Sequence, residues 1–188
     1  MTSKVDVLIN ADRGFIAQTS LDKFLRERVL SGECRALDSA QHINLRDEIA
    51  TQFSIHSNDV IVVGSAKLGY SVSPLKALKP FDDSSDIDVA IVSAKLFEVY
   101  WLEMYRAKKR MIEWPELPDA RKYLFSGWIR PDKLPMLQLR NDWFDFFSDL
   151  QARRLGGPYP VRAGIYYNIG FLEAYQENGV RRSFTGAE

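Results

Sequence analysis

Apolar residues recur along this chain with two different periods, and the change from one to the other divides it into elements. From Ser20, which is placed to cap a first turn, Leu21, Phe24, Leu25 and Val29 follow at helical spacing. The spacing predicts a helix over about 20–31, ending near Gly32. A second helix is expected over 37–55, with Ile43, Leu45, Ile49 and Phe53 on or near one face. Asn58–Asp59 reads as a turn. "VIVV", Val60 to Val63, is a short unbroken apolar run that stops at Gly64, as a buried strand does. Residues 66–85, "AKLGYSVSPLKALKPFDDSS", have loop composition, and so long a loop inside a compact domain is usually functional or mobile. Period two returns in "DIDVAIVS", a second strand. Helices are then expected over 95–110, with Leu96, Phe97, Tyr100 and Tyr105 inward, over "PELPDARKYLFSGW" (115–128), and over "NDWFDFFSDLQARR" (141–154) with Asn141 as its cap. "YPVRAGIYYN" has strand character, and "IGFLEAYQENG" reads as a last short helix.

Helices, strand, loop, strand, helices, strand, helix is the order of an α/β (α+β) domain: a small mixed β-sheet with flanking helices. The 188 residues suit one domain over 1–188, with an N-terminal helical segment at about 15–57.

Composition changes this picture in a few respects. Hydrophobic residues make up 46% of the chain, enough for a packed core, which excludes a disordered polypeptide. A formal net charge of zero argues against strong non-specific attraction to nucleic acid. The charge is uneven, however. Residues 1–94 carry 10 Lys/Arg against 13 Asp/Glu, and residues 95–188 carry 15 against 12. The excess cations cluster in "RAKKR" (Arg106 to Arg110), Arg121–Lys122, Arg153–Arg154 and Arg181–Arg182, either as solvated helix faces or as a diffuse surface for a phosphate-rich partner. Cys34, the single cysteine, has no partner for an internal disulfide and reads as a small core residue. No charged leader precedes an apolar run, and no apolar run reaches about 18 residues. The expectation is a cytoplasmic protein that does not span a membrane.

The candidate chemistry lies in "SSDIDVAIVS", Ser84 to Ser93. Side chains alternate along a strand, so Asp86 and Asp88 share one face while Ile87, Val89 and Ile91 take the other. Two adjacent carboxylates repel unless a positive charge lies between them, and a divalent cation serves best. Mg²⁺ prefers oxygen ligands and is commonly held by one or two carboxylates together with substrate phosphates. The complementary half is "VVGSAKLGYS". Gly64 ends a strand where a residue without Cβ lets backbone N–H groups approach a phosphate, Ser65 adds a hydroxyl, and Lys67 offers positive charge. It is not a P-loop, because Gly-x-x-x-x-Gly-Lys-Ser/Thr is absent.

Together "VVGSAKLGYS" and "SSDIDVAIVS" resemble the nucleotidyltransferase superfamily that includes DNA polymerase beta. The Ser-Asp-Ile-Asp form is similar to its small bacterial members, including the minimal nucleotidyltransferases of toxin–antitoxin and phage-defence systems. The resemblance covers about residues 58–95. It implies that Gly64 and Ser65 hold the triphosphate of a nucleoside triphosphate such as ATP, with Lys67 supplying positive charge, and that Asp86 and Asp88 bind two divalent ions, Mg²⁺ or Mn²⁺. The implied reaction moves a nucleoside monophosphate onto an RNA or protein acceptor. The alternative is a degenerate member that binds nucleotide or a partner without turnover. The sequence departs from the family in two places. Active members usually carry a third carboxylate on a later strand, and "PVRAGIYYN", Pro160 to Asn168, contains none. Asp142, Asp145, Asp149 and Glu173 fall in predicted helices. Twenty residues also separate Ser65 from Asp86, and Lys76 and Lys79 in that stretch could touch phosphate. The short remainder after the last strand argues against a cyclic-nucleotide synthase with a second helical domain. Tyr166, Tyr167, Trp128 and Trp143 could stack on a base, although aromatics at this spacing are more often core. His42 and His56 lack a triad partner and read as structural or surface residues.

Overall fold

A computed structural model describes residues 3–73, 75–76 and 78–185, so Pro74 and Ala77 of the expected loop lie outside it. Four strands form one sheet: β1 (Val60–Val63), β2 (Ile87–Val92), β3 (Trp128–Ile129) and β4 (Val161–Tyr166), in the spatial order β1-β2-β4-β3. β1 runs antiparallel to β2, β2 parallel to β4, and β3 antiparallel to β4. The α+β class with a small mixed sheet is therefore the observed one.

The helices are α1 (Lys4–Gln18), α2 (Leu21–Phe24), α3 (Ser39–Phe53), α4 (Gly64–Leu68), α5 (Ala94–Lys109), α6 (Leu117–Phe125), α7 (Gln138–Ala152) and α8 (Ile169–Thr185). Local side chains start several of them. The Ser20 hydroxyl accepts from the Lys23 amide, and Ser93 accepts from Leu96. Asp38 and Gln41 form a reciprocal capping box at α3. α2 widens into a π-helical turn over Leu25–Leu30, so the two together fill the helix expected over 20–31.

The sheet's two faces are packed by different helices. On one face Val60, Val62, Ile87, Val89, Ile91, Ile129 and Ile165 meet Leu45 and Ile49 of α3, Phe97 and Tyr100 of α5, and Trp143, Phe147 and Leu150 of α7. On the other, Val63, Ala90 and Tyr166 meet Leu172 of α8 and Leu30 of the π-helical turn. Behind that layer Ile9 of α1, Phe24, Leu25, Val29 and Val180 of α8 close a second cluster around Tyr70. The buried Tyr70 hydroxyl donates to Asp12 Oδ2 at 2.6 Å, which ties α1 to the chain following α4.

Five details differ from the sequence expectations. α1 lies mostly ahead of the helical segment expected from about residue 15. Ile43 is 54% exposed and leaves the apolar face of α3 to its neighbours. Tyr105 is likewise outward, and Met104 takes the inward position on α5. α7 begins at Gln138, three residues before the expected cap Asn141. Trp128 is not the end of a helix: the chain turns at Gly127, and Trp128 pairs with Tyr166 in β3. Cys34 is a buried core residue whose Sγ–H donates to the Ala66 carbonyl, and His56 Nδ1 accepts from the Asn58 amide, as a structural cap.

Candidate active site

β1 and β2 are antiparallel neighbours, and their register sets Val63 opposite Asp88. The turn out of β1 therefore brings Gly64 against the Asp88 side chain. A Cβ on Gly64 would lie 3.0 Å from Asp88 Oδ2, and Gly64 has φ +69°, a conformation costly for any other residue. Gly64 is thus brought to Asp88 by the strand register itself, with Ser65 following it in α4. The twenty residues between the two half-motifs are an excursion pinned at its base. Phe81 N–H donates to the Gly69 carbonyl, Ser71 N–H to Lys79, and Tyr70 bridges Pro80.

Asp86 precedes the first ladder residue of β2 and Asp88 is the second, so both point to the α8 face. Asp88 is half-buried. Burial first, and the neighbouring Asp86 charge second, push its carboxyl up to about 6, while Lys76, Arg162 and Arg130 act in the opposite direction. Lys76 of the excursion is therefore the lysine whose charge reaches the acids. Lys67 is turned away from them. Its side chain is buried, its ammonium donates to the Gly32 carbonyl, and burial pushes its pKa down, with the Arg46 charge acting in the same direction. The helical turn that starts at Gly64 buries Lys67, which the sequence alone does not reveal. Lys79 pairs with Asp82, and Asp82 also accepts from both the amide and the hydroxyl of Ser84, so those residues build the turn before β2.

β4 runs parallel to β2 on its other side, and its register sets Arg162 beside Asp88. Arg162 Nε lies 2.7 Å from Asp86 Oδ2. A guanidinium thus stands on the later strand where the family resemblance implies a third carboxylate. Two residues on, Gly164 lets the Trp128 indole lie across β4, since a Cβ there would sit 2.4 Å from Trp128 Nε1. Trp128 stacks on Tyr166, with centroids 5.5 Å apart and an interplanar angle of 6°. Tyr175 of α8 packs on the indole, and Arg130 sits over both Trp128 and Tyr123. Trp128 Nε1 is buried without a hydrogen-bond partner among the described residues. Of the four aromatics considered from sequence, Trp128 and Tyr166 therefore share the acids' face, whereas Trp143 and Tyr167 belong to the opposite core.

The helical acids do not complete the acid pair. α7 packs on the far face, where Asp142 accepts from Gln138 and Asp149 pairs with Arg153. No group of three or more His, Cys, Asp or Glu side chains that could hold a metal occurs among the described residues. Two carboxylates on one face, one half-buried beside a glycine, fit a single hard cation completed by water and phosphate oxygens. They do not supply the wider ligand set of a two-ion centre. No helix among the described residues is long and apolar enough to cross a membrane. Comparison with protein-family models, curated proteins and solved structures returned no match.

Proposed function

We propose that this protein is a metal-dependent nucleotidyltransferase that moves a nucleoside monophosphate from a nucleoside triphosphate to a hydroxyl of an RNA or protein acceptor, in the cytoplasm. The observation that carries this reading is the meeting of the two half-motifs: Gly64 lies against the Asp88 side chain despite the long excursion between them. Bound Mg²⁺ or Mn²⁺ would neutralise phosphate charge beside the two carboxylates. The chain's own residues do the rest. Asp86 and Asp88 supply the hard oxygen donors. Lys76, Arg162 and Arg130 provide the positive field in which a triphosphate sits. The acceptor oxygen forms a bond to the α-phosphorus, the bond to pyrophosphate breaks, pyrophosphate leaves, and the hydroxyl proton passes to water. A toxin–antitoxin or phage-defence role is compatible with such chemistry.

The second reading, nucleotide binding without turnover, is favoured by one specific observation: Arg162, not an acid, stands beside Asp88. One assay separates the two. Protein, Mg²⁺ or Mn²⁺ and each α-labelled nucleoside triphosphate are incubated with total RNA and cell lysate, beside an Asp86→Ala/Asp88→Ala variant. Label entering a macromolecule with wild type alone is the expected result. Metal-dependent binding with no transfer would establish the second reading instead.

A further inference from the structure

Resting on the metal–nucleotide reading above, the geometry points to a role for Arg162. We propose that Arg162 exchanges partners: it masks Asp86 in the free protein and turns to the triphosphate when a cation takes Asp86.

The two ends of the Asp86–Arg162 pair are held unequally. The Asp86 side chain is 27% exposed at the mouth of β2, whereas that of Arg162 is 70% exposed. An ion pair with so exposed a partner is held weakly, so a change of partner is cheap. Nε is the atom that contacts Asp86. The next residue of β4 on the same face is Gly164, which presents no side chain of its own. The guanidinium is a rigid fork suited to bidentate contact with phosphate oxygens, and it stays charged at any working pH. A cation approaching Asp86 must compete with this guanidinium. Once displaced, Arg162 remains beside Asp88, across β2 from Val63 and one residue from Gly64, where a triphosphate would be held. Cation and triphosphate then favour each other's binding, because each benefits from the same movement.

The test uses the intact protein and two probes measured separately: Mn²⁺ alone, followed by the electron paramagnetic resonance signal of the free ion, and ATP in the presence of EDTA. Arg162→Gln unmasks Asp86 and removes a phosphate ligand. Mn²⁺ should bind about two- to fivefold tighter, while metal-free ATP should bind at least about tenfold more weakly. Arg162→Lys, which keeps the charge without the fork, should fall between. Asp86→Asn should lose Mn²⁺ binding yet hold metal-free ATP at least as well as wild type. Opposite signs for the two probes are the signature, since a purely structural arginine would weaken both or neither. If wild type binds Mn²⁺ and ATP but Arg162→Gln shifts them in the same direction or not at all, the exchange is wrong and the site stands. If neither wild type nor Arg162→Gln binds either probe, the metal–nucleotide reading fails and the exchange with it.

Discussion

On one face of the sheet, Val60, Val62, Ile87, Val89, Ile91 and Ile165 interlock with α3, α5 and α7, and no strand residue there is charged. On the other, β2 and β4 present Asp86, Asp88, Ala90, Arg162, Gly164 and Tyr166, beneath α8. Each strand feeds both faces, so the same backbone carries two chemistries at a period of two. The first face is organised by burial, and its side chains have each other as partners. The second spends sheet surface on glycines and charges, which contribute little packing. Residues that break local rules for stability tend to mark functional sites. The contrast between the faces is therefore the best internal guide to where chemistry happens.

The largest effect should come from the apolar face. Ile91 is fully buried near the end of β2, between Val60 and Ile165. Ile91→Ala should cost about 2–5 kcal/mol through lost transfer energy and the cavity left behind. Urea unfolding of the variant measures this directly. A loss under about 1 kcal/mol would mean that the face is less tightly packed than described, and would weaken the contrast.

The acid face should respond in the opposite direction. The folded-state pKa of Asp88 lies near 6, above its ordinary 3.8. The folded protein thus holds this proton more tightly than the unfolded chain does. Ionising Asp88 lowers stability as pH rises from about 4 to about 6, and the loss persists above that window. Asp88→Asn escapes it. The variant should be about 1–3 kcal/mol more stable than wild type at pH 8, the upper bound being the full shift and the lower allowing for residual solvent screening. The gain should shrink toward zero near pH 4. Denaturation midpoints across that range give the answer, and added Mg²⁺ should narrow the gap at pH 8 by stabilising wild type alone. An Asp88→Asn protein less stable than wild type at pH 8 would reassign the carboxylate as a structural anchor.

These two faces were unequally legible in the sequence. Alternation in "DIDVAIVS" separates Ile87, Val89 and Ile91 from Asp86 and Asp88 without any structure, because period two is a local property. Gly64–Ser65 was readable for the same reason, as a strand terminus. The remainder of the site comes from strand neighbours distant along the chain. Arg162 matters because β4 runs parallel to β2 in one particular register, and a one-residue slip would turn it to the other face. Trp128 is visible as an aromatic, but its place on the acids' face is not, because a two-residue strand is too short to show a period. Lys67 shows the reverse failure, since its place in the motif suggested a phosphate ligand while the turn of α4 buries it. For α1 a signal was present: Ser3 and Asp6 form a capping box around Val5 and ahead of Leu8 and Ile9.

Gly64 joins the two faces, and its substitution should have an intermediate effect. Gly64→Ala forces a Cβ residue to φ +69° and 3.0 Å from Asp88 Oδ2. The conformational part should cost about 1–2 kcal/mol. The contact part depends on Asp88, so a double-mutant cycle with Asp88→Ala should return a coupling of about 0.5–1 kcal/mol. Additive behaviour would show that Gly64 is needed for its backbone alone, and that the approach to Asp88 is incidental.

The smallest stability effect is expected at Arg162, and its smallness is informative. Its pair with Asp86 is exposed on the arginine side, so Arg162→Ala should cost no more than about 1 kcal/mol and less at high salt. Part of that cost is indirect, because the Arg162 charge helps hold Asp88 ionised. In an Asp88→Asn background the same substitution should therefore cost still less. Unfolding midpoints of the single and double variants at low and high salt resolve both contributions. A loss well above 1 kcal/mol that persisted in high salt would identify Arg162 as a fixed strut of the sheet, and a strut is not free to leave Asp86 for a phosphate.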